Sequence, residues 1–193
     1  MLIAGLTGGL ACGKSFVAAE FGRLGCHIVE ADALGHAVLR PGGEAHEEVV
    51  REFGTADRPS LAALAFHDAA AMARLNAIVH PAVRRLARRE FRRIAEADPQ
   101  AIAIYVAAIL IESGGAREVD KLIVVSCSRE LQISRALARA NATEADVLAR
   151  LDRQLPTEKK LEYADYAIDT NGAKEETLNQ TKIVFEELRR LSS

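Results

Sequence analysis

Apolar residues along the chain fall into short blocks separated by longer amphipathic stretches, with glycines at the joints. Leu2 to Thr7 is an apolar run ended by glycines, the pattern of a buried parallel strand. From Lys14 a helical period begins: Val17, Phe21 and Leu24 fall at i, i+4 and i+7, and Gly25 supplies a natural stop. His27 to Glu30 predicts a second short strand. Strand, glycine loop, helix, strand is the opening βαβ unit of an α/β fold. Ala101 to Ile111 and Lys121 to Val125 predict two further buried strands. Tyr166 to Asp169 predicts a last one, stopped by Asn171-Gly172 and followed by a closing helix from Lys174 to Leu191.

The section from Asp32 to Asp98 reads as helical, interrupted at Pro41-Gly42-Gly43 and at Asp57-Arg58-Pro59. Val83, Ala87, Phe91 and Ile94 form an apolar stripe, and Arg84, Arg85, Arg88, Arg89, Arg92 and Arg93 occupy the opposite face. This much helix between two strands predicts an inserted helical subdomain rather than a simple crossover. Ser128 can cap a helix carrying Ile133 and Leu137, Thr143-Glu144-Ala145-Asp146 resembles a capping box for the next, and Pro156 marks an end or a break.

Composition narrows the class. With 49% hydrophobic and 27% charged residues over 193 positions, the chain can bury its own core without a disulfide or metal staple. A formal net charge of -2 argues against a polyanion binder, so nucleic acid is not an expected partner. Cys12, Cys26 and Cys127 form no C-x-x-C pair, and no two histidines share metal-site spacing on one helix face, which points to a reducing cytoplasm. The longest apolar run is too short to span a bilayer, and the apolar start lacks a basic flank, so neither membrane anchoring nor a signal peptide is expected.

The candidate chemistry lies in Gly8-Gly9-Leu10-Ala11-Cys12-Gly13-Lys14-Ser15, which matches the P-loop pattern between a predicted strand and a predicted helix. Backbone amides can converge on phosphate oxygens only where side chains are small or point away, and the glycines allow this. The helix starting at Lys14 aims free amides and the positive end of its dipole at the anion. Lys14 is expected to reach the β- and γ-phosphates and Ser15 to offer its hydroxyl to Mg²⁺. Cys12, at a helix N-terminus, is either a reactive thiol or simply a small filler of the loop.

Three sequence features sort among P-loop proteins. The Asn-Lys-x-Asp guanine reader of a GTPase is absent after the strand ending at Val125, where Ser126-Cys127-Ser128-Arg129 follows. Asp32 closely follows the second strand, at the carboxyl end that shares a crevice with the loop in a parallel sheet. It can act there as the base for an attacking hydroxyl, or cap a helix. Glu112, at the end of the predicted strand Ile102 to Ile111, is either part of the site or a strand-end carboxylate capping a turn.

From here the chain resembles the dephospho-coenzyme A kinase family over nearly its whole length. The resemblance rests on Gly5 to Gly9, Gly13-Lys14-Ser15, Ala31-Asp32, Phe66, Leu75-Asn76-Ala77-Ile78-Val79-His80-Pro81 and Leu110-Ile111-Glu112. It continues through Gln154, Ala164-Asp165-Tyr166-Ala167-Ile168-Asp169 and Asn171-Gly172. It implies a P-loop NTPase-type parallel sheet flanked by helices (1–31, 100–130 and 164–193), a helical substrate domain (32–99) and a small helical lid (131–163). The implied reaction moves the ATP γ-phosphoryl, with Mg²⁺, onto the ribose 3′-hydroxyl of dephospho-coenzyme A.

On this resemblance Asp32 is the catalytic base, with Lys14 stabilising the transferred group. Gly8, Gly9, Ala11, Cys12, Gly13, Lys14, Ser15 and Phe16 surround the phosphates. Asn171 and Gly172 hold the adenine end, and Arg135 and Arg139 approach from the lid. His80 is either a substrate contact or a packed core histidine. The chain departs from the family pattern at Ala11, Cys12, Phe16 and Glu30, and at Ala108, where proline is usual. Rival expectations are another small-molecule kinase, of the nucleoside, nucleotide or shikimate type, and a non-catalytic ATP-binding regulator.

Overall fold

The structure, a computed structural model, describes residues 1–66, 68–138 and 143–192. The chain packs as two compact units, residues 1–29 with 94–193, and residues 30–93.

The first unit is built on apolar strands: β1 (Leu2–Gly8), β2 (His27–Glu30), β3 (Ile102–Val106), β4 (Lys121–Ser126) and β5 (Tyr166–Asp169). They lie in the order β2-β3-β1-β4-β5, with β1 parallel to both β3 and β4, and β4 parallel to β5. Strands buried on both faces need helices on both faces. One face is covered by α1 (Lys14–Arg23) and α9 (Lys174–Ser192), which pack on the sheet and on each other. Val17, Ala18 and Phe21 of α1 and Val184 and Leu188 of α9 close over Leu6, Ile104, Ile123 and Ile168. The chain leaves β1 toward one sheet edge and β3 toward the other, so their carboxyl ends border the kind of crevice where α/β folds bind ligands.

Three shorter helices complete this unit: α6 (Arg129–Leu137), α7 (Glu144–Leu151) and α8 (Thr157–Leu161). The predicted caps form. Ser128 accepts the Leu131 amide and Thr143 accepts the Asp146 amide, each satisfying an orphan donor of a first turn. Pro156 stands at the N-cap of α8.

One predicted strand is shorter than its apolar run. β3 stops at Val106, and Ala107 makes a last contact by donating to the Leu6 carbonyl. The chain then turns, with the Gly114 amide on the Ile111 carbonyl and the Ala116 amide on that of Leu110. Leu110 is buried by this turn, not by a strand, and an apolar run alone does not separate the two. Glu112 therefore lies in a turn rather than at a strand end.

The second unit is helical: α2 (Ala31–Leu39), α3 (His46–Phe53), α4 (Arg58–Phe66) and most of α5 (Ala69–Ala97). Its core is Val38, Ala45, Val49, Leu61, Ala82 and Val83, with Leu75, Ile78 and Val79 against it. The predicted stripe of α5 is buried throughout, and Pro81 is carried inside the helix. On the basic face, Arg85 and Arg89 pair with Glu44, and Arg93 pairs with Glu90.

Candidate active site

The loop after β1 owes its shape to residues that could not easily be others. Gly8 is in register with Val125 of β4, and a Cβ there would run into the Val125 carbonyl. Gly13 adopts φ 87° and caps α1 without any side-chain hydrogen bond. The first amides of an α-helix have no carbonyl of their own helix to donate to. In α1 the Phe16 amide turns back to the Gly13 carbonyl at 3.0 Å, and the positive end of the helix dipole faces the loop, where it favours an anion. Lys14 Nζ lies 2.8 Å from the Gly8 carbonyl and 2.9 Å from that of Gly9, so the ammonium is curled over the loop. Ser15 and Phe16 are exposed on the first turn of α1.

Ala11 has a positive φ of 57°, which costs an alanine about 1–2 kcal/mol relative to the right-handed region. Its methyl is buried in a small apolar cluster with Ala136, Val147 and Leu151, which returns about 0.8 kcal/mol. Cys12 points the other way. It is fully buried, with its sulfur 3.4 Å from Cys127 Sγ and 2.9 Å from the Gln132 amide nitrogen that donates to it. Burial first, and the neighbouring Cys12 second, push the Cys127 thiol up to about 12. Of the two readings of Cys12, a filler in the core agrees with this placement, because a reactive thiol needs exposure.

Behind the loop, the Thr170 hydroxyl donates toward the Cys12 carbonyl at 3.0 Å and the Ser126 carbonyl at 3.2 Å. Arg135 brackets Thr170 with two bonds, 3.0 Å to its hydroxyl and 2.7 Å to its carbonyl. Both ends of the Asn171 carboxamide are engaged within the protein. Its oxygen accepts the Ser128 amide at 2.8 Å and its nitrogen donates to Asp169 at 2.7 Å. At Gly172 a Cβ would collide with Glu176.

Sequence reasoning missed Lys160. It is fully buried, donates to the Ala108 carbonyl at 2.8 Å and pairs with Glu112 at 2.8 Å. Glu112 also accepts the Leu155 amide at 3.0 Å, and Thr7 donates to the same Ala108 carbonyl at 3.2 Å. The segment that lacks the usual proline is thus held by its carbonyl. A lysine inside Thr157-Glu158-Lys159-Lys160-Leu161 carries no sequence signal of burial.

Two expected residues belong to the helical unit. Asp32 is exposed in the first turn of α2, which begins at Ala31 directly after β2. The N-cap position is Glu30, so the capping alternative for Asp32 falls away. His80 is half-buried in α5, and burial, then the charge of Arg84, lower its pKa. Arg139 lies outside the described residues.

A parallel sheet whose central strand exits through this loop into an uncapped helix, with an ammonium folded over the turn, makes the first unit a P-loop fold of the kinase class. The dephospho-CoA kinase family matches residues 2–176. A dephospho-CoA kinase of Syntrophotalea carbinolica is 39% identical over 188 residues, covering 93% of this chain and 89% of that one. The crystal structure of TT1252 from Thermus thermophilus is similar with a TM-score of 0.84 at 32% identity, covering 97% of each chain. A dephospho-CoA kinase from Campylobacter jejuni shares the fold, with a TM-score of 0.71 at 24% identity over 99% of this chain and 98% of that one. The chain belongs to the dephospho-CoA kinase family.

Proposed function

We propose that this chain transfers the γ-phosphoryl group of ATP to the ribose 3′-hydroxyl of dephospho-CoA, giving CoA and ADP, the last step of CoA synthesis. The observation that carries the reading is Lys14 curled over the Gly8 and Gly9 carbonyls at the uncapped start of α1, in a chain of this family. Phosphate oxygens are stronger acceptors than carbonyls for an ammonium. Bound ATP draws Lys14 and the loop amides from Ala11 to Ser15 onto its β- and γ-phosphates, where they stabilise charge on the transferring group.

Asp32 accepts the proton of the attacking hydroxyl, a contribution of about 10²- to 10⁴-fold for a positioned base. Arg135 and Arg139 approach ATP from the lid over residues 131–163. The backbone around Thr170 and Gly172 meets the adenine end, since the Asn171 carboxamide is already committed. Residues 32–99 receive dephospho-CoA, with His80 as a candidate contact. Glu112 is left to structure, because Lys160 and the Leu155 amide occupy it.

Mg²⁺ fits the donor set. The described residues hold no cluster of three or more carboxylate, His or Cys ligands. Mg²⁺ characteristically binds one or two protein oxygens plus phosphates. Ser15 would supply that oxygen, and the ion would neutralise charge between the β- and γ-phosphates. No helix among the described residues is long and apolar enough to cross a membrane. The free thiols of Cys12, Cys26 and Cys127 support a reducing compartment, the cytoplasm, and the net charge of -2 supports a small-molecule rather than a nucleic-acid partner.

The test is an acceptor panel: coupled ADP release with ATP and Mg²⁺, using dephospho-CoA, adenosine, AMP and shikimate in parallel. Turnover with dephospho-CoA alone is expected. Preference for another acceptor would keep a kinase and remove this substrate. Acceptor-independent silence with ATP still bound would leave a regulator.

A further inference from the structure

A phosphate loop binds through its backbone amides, so an amide committed to a protein acceptor is a fixed point about which the others are aimed. Leu10 is such a point. Its N–H donates to Gln154 Oε1 at 2.9 Å, across 144 residues of sequence. Gln154 follows α7, whose Val147 and Leu151 pack against Ala11 in the cluster that Leu10 also joins. The next residue, Leu155, donates its amide to Glu112, and Glu112 is pinned by the buried Lys160. Lys160 in turn holds the Ala108 carbonyl, which also accepts from Thr7, the last residue of β1 before Gly8. The path from Gln154 thus returns to the root of the loop, and a cleft between them is lined by Gly9, Gln132, Gln154 and Leu155.

We infer that Gln154 is a positioning residue for the phosphate loop. By accepting the Leu10 amide it fixes the Gly9–Leu10 peptide and keeps the amides from Ala11 to Ser15 convergent. The Glu112–Lys160 pair holds the segment from which Gln154 reaches. This inference rests on the reading that the loop binds ATP. A neutral carboxamide suits the task. It offers an acceptor oxygen without placing a negative charge beside a triphosphate, as a carboxylate at the same position would.

The experiment is calorimetric titration of ATP into the full chain and into Gln154→Met and Gln154→Glu, at low and high ionic strength, with thermal unfolding of each. Gln154→Met keeps the length and removes the acceptor. It should bind ATP about 5- to 10-fold more weakly, the worth of one hydrogen bond, with little salt dependence and an unfolding midpoint near that of the parent. Gln154→Glu keeps the acceptor and adds charge. It should bind weakly at low salt and recover toward the parent as screening increases. In turnover, Gln154→Met should raise the KM for ATP, leaving kcat and the KM for dephospho-CoA within about twofold.

ATP affinity of Gln154→Met within twofold of the parent would overturn the inference. So would equal losses for both substrates accompanied by a marked drop in the unfolding midpoint, since that describes a merely structural glutamine. A parent chain that binds no ATP would remove the loop reading and this inference together. A parent that binds ATP but phosphorylates no acceptor would remove only the proposed substrate, and the calorimetric comparison would still decide the role of Gln154.

Discussion

Residues 8–15 hold their shape through polar atoms, whereas residues 30–93 hold theirs through an apolar cluster with ion pairs at its surface. In the loop, Leu10 leans on Gln154, the Cys12 carbonyl on Thr170 and the Gly8 carbonyl on Lys14. In the helical unit, Val38, Val49, Leu61 and Val83 form the centre, and Glu44 collects Arg85 and Arg89 outside it. Hydrogen bonds fix direction, as a phosphate cradle requires. Apolar burial is non-directional, so it specifies a packed unit without specifying what that unit binds. The contrast explains why one region announces its chemistry in the sequence and the other does not.

Removing one charged group from each region should have the largest effects. Lys14→Ala should abolish detectable ATP binding in calorimetry, and turnover with it, because the loop loses its only full positive charge. Near-normal turnover would refute the loop assignment. Asp32→Asn, in the helical unit, should leave ATP affinity intact and lower kcat at least about a hundredfold. If ATP affinity falls instead while kcat holds, Asp32 is not the base.

Lys160→Met probes the polar scaffold behind the loop. Breaking a buried ion pair by removing one partner costs about 3–5 kcal/mol. Glu112 retains some solvent access, with 19% of its side chain exposed, so the lower end, about 3 kcal/mol in urea unfolding, is expected. Adding Glu112→Gln, which keeps an acceptor for Leu155 and drops the orphaned charge, should recover part of the loss. A single variant as stable as the parent would show that the pair contributes little.

Ala11→Gly should change least. Relief of left-handed strain, about 1–2 kcal/mol, is opposed by the lost methyl burial and by the greater freedom of an unfolded glycine, about 0.8 and 0.4–1 kcal/mol. The net change in the same unfolding experiment should stay below about 1 kcal/mol. A larger loss would mean that the apolar cluster around Ala11 carries more of the loop than its small area suggests.

The same contrast governs how much could be read in the sequence. β1, β2 and β5, the start of α1 and the caps at Ser128 and Thr143 are legible because each joins a period to a punctuating residue. The P-loop is legible because only glycine fits beside Val125 and at the turn into α1. The end of β3 is not, since Leu110 is equally apolar in a strand or under a turn. Nor is the burial of Lys160, because a charged helix containing one buried lysine looks like any solvated helix. The commitment of Asn171 to Ser128, and of Arg135 to Thr170, depends on pairings across 43 and 35 residues that no local pattern encodes.

Phosphoryl transfer to one particular hydroxyl can be followed by incubating the full chain with ATP, Mg²⁺ and dephospho-CoA and locating the new phosphate by phosphorus NMR and mass spectrometry. A single added phosphoryl group is expected, as a monoester on the ribose 3′-oxygen, formed in step with ADP. A phosphate on any other oxygen, or ADP formed without a phosphorylated product, would contradict it.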